Sequence, residues 1–405
     1  MLTPPRLPLR FALTLTVRLL EAATADPSQD VGSARKPQRG LKFREASLGD
    51  YDQIAKLEAR YWLHTKNYEE WSHLWLGNPL YRELQVDWSI GWVIENEAGR
   101  IVASMENIPL AYEFQGQRIL AATGRAWAAD PDYRSAALLL LERVINQPGI
   151  DLYINTTFSP ASMPAITVFN CARVPTGVWD RSAFWITHPR GFARSYLALK
   201  EYPMAELLSY PLAALVYLRG SLTGPRWKAD DVTVLPSAGF DARFDVFWDD
   251  LRRQNPHLLL AVRTSELLHW HYKYMLLNDR IWIGTISEGD RLLAYAVFER
   301  RDKRSFGLKR VRLVDFQSLD QSPTLLIPLL AWALKRCHEQ GIHVLEHVGR
   351  WLEEGQVLDR IMPYRRTLPS WIYAYRAARP DLAERLADQR AWAPWLYDGD
   401  ASLIR

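Results

Sequence analysis

Two stretches of this chain repeat one pattern, and the repeat restricts the fold more than any other feature. "GWVIENEAGRIVASM" (Gly91–Met105) and "IWIGTISEGDRLLAYAV" (Ile281–Val297) each run as an aromatic-led strand, an acidic-glycine turn, an arginine, an aliphatic pair and an alanine. A single hairpin of this kind is common. Here each sits at the same place in the same succession of elements, which is the signature of duplication. At 405 residues the chain has room for two domains and their connections.

The succession itself is read from periodicity. In the first half "LKFREAS" alternates as a strand, and "LGDYDQIAKLEARYW" has helical spacing at Ile54, Leu57 and Tyr61. A short helix at "NYEEWSHLWL" precedes three strands between Ile90 and Asp130, with turns at Glu97-Ala98-Gly99 and Gln115-Gly116-Gln117. A helix, the strand "DLYINTT", the helix "SMPAITVFN" and the strand "SAFWITH" come next. Residues 191–230 read as a helical, proline-punctuated connector, after which residues 231–376 repeat the order and close on the strand "SWIYAYR". The expected fold class is α/β (α+β): two tandem domains, 41–190 and 231–376, each a mixed, mostly antiparallel central sheet flanked by helices. Residues 1–40 read as a disordered extension or the product of a start codon placed too far upstream, and 377–405 as a C-terminal helical tail.

Charge and composition narrow the function classes. Of a formal charge of +4, the first 40 residues carry +3, so the body is close to neutral and no nucleic-acid footprint is expected. One local cluster, "RRDKRSFGLKRVR" (Arg300–Arg312), is strongly basic and reads as a solvated hairpin. Cys171 and Cys337 are the two cysteines, which rules out a disulfide framework and points to a reducing cytoplasm. Neither CxxC nor HExxH occurs, and no metal is expected. "YPLAALVYL" (Tyr210–Leu218) is the longest apolar stretch after the N-terminus, far short of the ~20 residues a membrane span needs. It reads as an interdomain helix or a weak membrane-surface contact.

"AADPDYRSAALLLLERV" (Ala128–Val144) carries the most chemical information. A turn delivers Arg134 and then the small residues Ser135, Ala136 and Ala137 to a helix start, where bare amides and a partial positive charge suit a phosphate. A plain helix start capped by Asp130 or Asp132 is the competing reading. With the order of elements, this stretch resembles the GNAT superfamily of acyl-CoA-dependent N-acyltransferases, at Pro131, Tyr133, Arg134 and the leucine run. Where that family has glycines, this chain has Ser-Ala-Ala. A second family element resembles "SPASMPAITVFNCARVP": Ala165 matches, Ser162 replaces an asparagine, and Phe169 stands where a tyrosine often reprotonates the CoA thiolate. The second half, at "LHWHYKYM", "VRLVDFQ" and "LPSWIYAYR", is similar to Fem-type aminoacyltransferases.

The resemblance implies acetyl-CoA or another acyl-CoA as co-substrate, held by Tyr133, Arg134, Ser135, Ala136, Ala137 and Ser162. It also implies an amine-bearing small molecule or sugar as acceptor. Candidate catalytic residues are Glu106 as base, Arg125 facing an acidic acceptor, and Asn155 with Thr156 and Thr157 at the end of the next strand. Each has a bland counterpart in a surface charge, an ion pair or loop capping. In the second half Trp270, His271, Tyr272 and Asp315 form the most interesting set, although His269 and His271 cannot face one cleft. A catalytically degenerate binding protein, and a Fem-type aminoacyl transfer using a basic groove with Arg300, Arg301, Lys303 and Lys309, are the alternatives.

Overall fold

A computed structural model describes residues 40–84, 87–223, 232–368 and 371–403. Except for Gly40, the expected N-terminal extension lies outside the described residues, as do residues 224–230 of the connector. The first half runs β1 (Lys42–Glu45), α1 (Tyr51–Arg60), α2 (Tyr68–Leu76), α3 (Pro79–Glu83), β2 (Gly91–Glu95), β3 (Ile101–Phe114) and β4 (Gln117–Ala129). It continues with α4 (Leu138–Ile145), β5 (Leu152–Phe158), α5 (Met163–Val168), β6 (Ala172–Arg173) and β7 (Arg181–Ile186). Local chemistry sets several of these starts. Asn67 accepts from the Glu70 amide at 2.9 Å to open α2, and Asn78 followed by Pro79 opens α3. Gln115 (φ 54°) and Gly116 (φ 73°) form the two-residue turn between β3 and β4, with the double left-handed backbone that tight hairpins require.

Two helices, α6 (Pro189–Leu199) and α7 (Ala205–Thr223), connect the halves. The second half then runs β8 (Leu235–Ser237), α8 (Ala242–Gln254), β9 (Leu260–Ala261), α9 (Ser265–Leu277), β10 (Ile281–Glu288), β11 (Arg291–Arg300) and β12 (Arg310–Ser318). After these come α10 (Leu326–Glu339), β13 (Val344–Val348), α11 (Val357–Ile361), β14 (Tyr364–Thr367), β15 (Ile372–Ala377), α12 (Pro380–Leu386) and α13 (Asp400–Leu403).

The first sheet has the order β1-β2-β3-β4-β5-β15-β6, with β9 against β3, and the second β8-β10-β11-β12-β13-β7-β14. Read this way the two orders correspond strand for strand. In both, neighbours are antiparallel except for one central pair, β4–β5 and β12–β13. The repeated hairpins are β2–β3 and β10–β11, at equivalent places.

One feature crosses the expected boundaries. The strand "SAFWITH", read as the end of the first domain, is β7 and pairs with β13 and β14 in the second sheet. The strand "SWIYAYR", read as the close of the second domain, contains β15 and pairs with β5 and β6 in the first. Each half thus completes the other's sheet. Side-chain alternation reports that a strand is buried, not which sheet buries it.

The halves also share a core. Tyr112, Phe114 and Ile119 lie in one cluster with Phe244, Phe247, Tyr295 and Tyr397. The expected C-terminal tail is part of it: beyond α12 the chain turns inward, and Trp395, Leu396, Tyr397 and Leu403 are buried. Trp395 packs on Phe316 (ring centroids 5.8 Å apart), His347 (5.6 Å) and Trp351 (5.6 Å), beside the ends of β12 and β13.

Candidate functional site

β4 and β5 pair only at Ala121–Leu152 and Ala122–Tyr153, and beyond those residues the strands part. One extra residue in β4, between Arg125 and Ala128, breaks the register against β3, and Ala126 there has φ 53°. Such a bulge bends a strand and re-aims the residues beyond it. Asn155 spans the opening, its Nδ2 donating to the Gly124 carbonyl at 3.1 Å. A Cβ on Gly124 would strike the Met105 methyl and stand 3.6 Å from the Tyr153 hydroxyl. That hydroxyl is fully buried and, among the described residues, without a hydrogen-bond partner. Burial holds its pKa well above the ordinary phenol value, so it stays protonated.

At the end of β4, Asp130 does not cap the next helix. Its carboxylate accepts from Arg60 (3.0 Å), Tyr61 (2.8 Å) and Arg100 (3.2 Å), which ties the turn to α1 and to the start of β3. Pro131–Tyr133 form a 3-10 turn. The amides of Ala137, Leu138, Leu139 and Leu140 bond back to the carbonyls of Tyr133, Ser135, Ala136 and Ala137, whereas among the described residues those of Ser135 and Ala136 enter no such bond. Arg134 and Ser135 are exposed, Tyr133 and Ala136 half-buried. Ala137 is buried, and its carbonyl accepts from Trp127 Nε1 at 3.1 Å. Open amides, small side chains and an exposed guanidinium are what an anion needs at a helix start. Ser162 closes the turn after β5, with its hydroxyl 3.1 Å from that of Ser159, and Phe169 packs into the first half's core.

Glu106 and Arg125, two separate candidates in the sequence, are one buried ion pair. Gly91 faces Glu106 across β2–β3 with φ 153°, and a Cβ there would clash with the Met105 carbonyl. Trp71 Nε1 donates to Glu106 Oε1 at 2.6 Å, and Arg125 Nη2 donates to the His64 carbonyl at 2.9 Å. Glu58 stands 3.7 Å from the same guanidinium, and sequence reading did not single it out. Burial, and then the Glu106 charge, push the Glu58 carboxyl up to about 9. Lys66, lining a cavity of about 30 Å³ with His271 and Ser402, is pushed down to about 8 by burial and by Arg125.

The folded protein thus holds a proton on Glu58 that the unfolded chain releases above pH 4.5, so stability from this site falls as pH rises from 4.5 through about 9. Glu58→Gln removes that titration. It is expected to raise stability by about 2 kcal/mol at about pH 6, the gain growing toward pH 9 and shrinking to nothing below 4.5. Urea unfolding at several pH values checks this, and a gain independent of pH would contradict it.

The C-terminal arm reaches the same opening. Asp400 accepts from the Thr156 amide (2.6 Å), the Thr156 hydroxyl (2.8 Å) and the Thr157 hydroxyl, and the Ala401 amide donates back to Thr156 Oγ1 at 3.0 Å. Thr156 and Thr157 therefore bind the protein's own arm. No local signal marks Asp400 in the sequence, because its partners lie more than two hundred residues earlier.

Asp315 belongs to a different network. It is fully buried, held by Arg263 through two bonds of 3.0 Å, and accepts from the Tyr295 hydroxyl at 3.1 Å. Arg263 also meets Asp398 of the arm at 2.5 Å. His271 is buried with its ring 4.5 Å from that of Tyr397, and burial pushes its pKa down to about 3, whereas His269 is exposed. Trp270 Nε1 donates to the His73 carbonyl at 3.0 Å. Residues 300–312 form the hairpin between β11 and β12 that their charge suggested, but it is solvated only near its tip, at Arg304 and Lys309. Arg301, Arg310 and Arg312 are buried, paired with Glu299 (Arg301, 2.5 Å) and Glu346 (Arg310, 3.3 Å; Arg312, 2.7 Å). Burial raises the Cys171 thiol to about 11 and Cys337 to about 12, so neither supplies a thiolate at neutral pH.

No protein-family model matches this sequence, and no curated protein does. Among solved structures, the chain is similar to a GCN5-related N-acetyltransferase from Anabaena variabilis at 13% identity and a TM-score of 0.52, over 84% of this chain and 73% of that one. It is similar to Saccharomyces cerevisiae N-myristoyltransferase with bound myristoyl-CoA at 13% identity and a TM-score of 0.52, over 87% and 88%. A protein of unknown function from Enterococcus faecalis, described as a probable N-acyltransferase, aligns at 13% identity and a TM-score of 0.50, over 83% and 72%.

Proposed function

Because this chain has the fold of the GNAT superfamily, we infer that it is an N-acyltransferase that takes its acyl group from acyl-CoA and passes it to the amine of a small molecule or sugar. The observation that carries the reading is the parted β4–β5 pair ending in a turn with open Ser135 and Ala136 amides. Tyr133, Arg134, Ser135, Ala136 and Ala137 hold the pyrophosphate, with Ser162 on the turn after β5. The backbone of β4 around the Ala126 bulge polarises the thioester carbonyl. The amine nitrogen attacks that carbon, a C–N bond forms, the C–S bond breaks, and the thiolate must receive a proton. In this reading Glu106, paired with Arg125, takes the amine proton, and Asn155, bonded to the Gly124 carbonyl, ties the strands at the opening. Asp315, in the separate network with Arg263 and Asp398, is given no step in this reading.

Phe169 leaves the usual proton donor missing, and this favours a second reading, a silent binding protein of the same fold. Turnover of any amine excludes it. The aminoacyl-transfer reading loses support, since Arg301, one of its groove residues, is buried against Glu299. Isothermal titration with acetyl-CoA and longer acyl-CoAs is the direct test. Arg134→Ala is expected to weaken binding about tenfold, and no heat with any acyl-CoA would refute the proposal.

A further inference from the structure

The acyl-transfer reading leaves α7 unused. From Leu207 through Leu218 it has no charged residue, yet it stands at the surface. Leu207, Leu208, Pro211, Leu215 and Leu218 recur at helical spacing along one face and are all exposed, Leu207 at 67% and Leu215 at 62%. Tyr210 and Tyr217 flank that face, exposed at 54% and 66%. Beneath it lies a satellite cluster that, among the described residues, is drawn from α6 and α7: Tyr196, Leu197, Leu199, Ala205 and Leu212. A helix apolar on both its packed and its outer side is normally covered.

The surrounding charge decides what covers it. The α6–α7 hairpin carries Arg190, Arg194, Lys200 and Arg219 against Glu201 and Glu206. Glu206 is shared by Arg190 (2.8 Å) and Arg194 (2.9 Å), so the pair keeps a net positive charge. Beside it the turn Arg304–Phe306 packs on α6 through Phe306 and Phe192, and Arg304 and Lys309 are exposed there. Two copies meeting face to face about a two-fold axis would set these cations against themselves. Among the described residues no helix is long and apolar enough to cross a membrane, so α7 lies on a surface rather than through it. Exposed leucines flanked by tyrosines and ringed by arginines match the boundary between acyl chains and anionic headgroups.

We propose that the α6–α7 hairpin docks on an anionic lipid bilayer, with the leucine face of α7 in the acyl boundary and Arg190, Arg194, Arg304 and Lys309 against the headgroups. The assignment is independent of the acyl-transfer reading. Flotation of the full chain with vesicles tests it, comparing phosphatidylcholine alone with phosphatidylcholine mixed with phosphatidylglycerol. The protein is expected to float with the mixed vesicles, less with the neutral ones, and less as salt is raised. Leu207→Glu with Leu215→Glu alters exposed positions and leaves the core intact, checked by an unchanged thermal melt. That pair is expected to cut partitioning at least about tenfold. Arg304→Glu with Lys309→Glu is expected to cut it about fivefold per cation. Failure to float with mixed vesicles would overturn the proposal. So would flotation indifferent to the leucine variants, or a dimer in light scattering that those variants split, which would make a second copy the occupant.

Discussion

Glu346→Ala is expected to destabilise the protein by about 3–5 kcal/mol, read as a lower urea midpoint at unchanged m-value. Glu346 on β13 is fully buried and accepts from Arg312 (2.8 Å), from Arg366 and from the Ser182 hydroxyl (2.7 Å), with Arg310 at 3.3 Å. Without it, three guanidinium groups face one another in a site closed to water. Although burial opposes its charge, the Arg312, Arg366 and Arg310 charges hold its carboxyl well below the usual range. Its contribution is therefore present above about pH 4.5 and lost as pH falls toward the folded value. Glu346→Gln keeps the shape and an acceptor, so its loss should fall between wild type and alanine. A cost under about 1 kcal/mol for alanine would mean that water enters the site and solvates the arginines.

The same network shows what sequence reading reaches and where it stops. Counting charge over residues 300–312 finds the cations but not their partners: Arg312 and Glu346 meet only because β12 and β13 run parallel with α10 between them. Glu106 and Arg125 lay closer to hand. A two-residue turn at Gln115-Gly116 pairs residues equidistant from it, and each of the two is nine positions away, so the hairpin register alone would have set them opposite. The turn from Pro131 to Tyr133 and the helix start behind it were legible because their signals are local. By contrast, the exchange of β7 and β15 and the course of the arm to Asp400 left no mark, since both depend on which buried surface a segment meets. Those two features join the halves: each sheet is closed by the other half, and the arm touches the parted strands of both. The second half thus supports the end of β5, through β15 along its edge and through Asp400 at Thr156 and Thr157.

Tyr153→Phe is expected to lower kcat about 100-fold while leaving KM for the acyl-CoA within about twofold. The family's tyrosine position is Phe169, so the leaving thiolate needs another proton source. Tyr153 lies on β5 at the last position paired with β4, its hydroxyl beside Gly124 where the strands part and, among the described residues, without a bonding partner. Its raised pKa keeps the proton on at working pH, and a thiolate formed within reach would replace an absent partner rather than compete with one. Removing one oxygen from an unbonded phenol leaves the packing against Phe158 and the fold in place. Loss of stability is therefore not expected, and a thermal melt separates the two effects. If the variant turns over at the wild-type rate, the thiolate draws its proton from solvent. If the rate falls but recovers with an acyl donor whose leaving group needs no proton, the role of the phenol as acid is established.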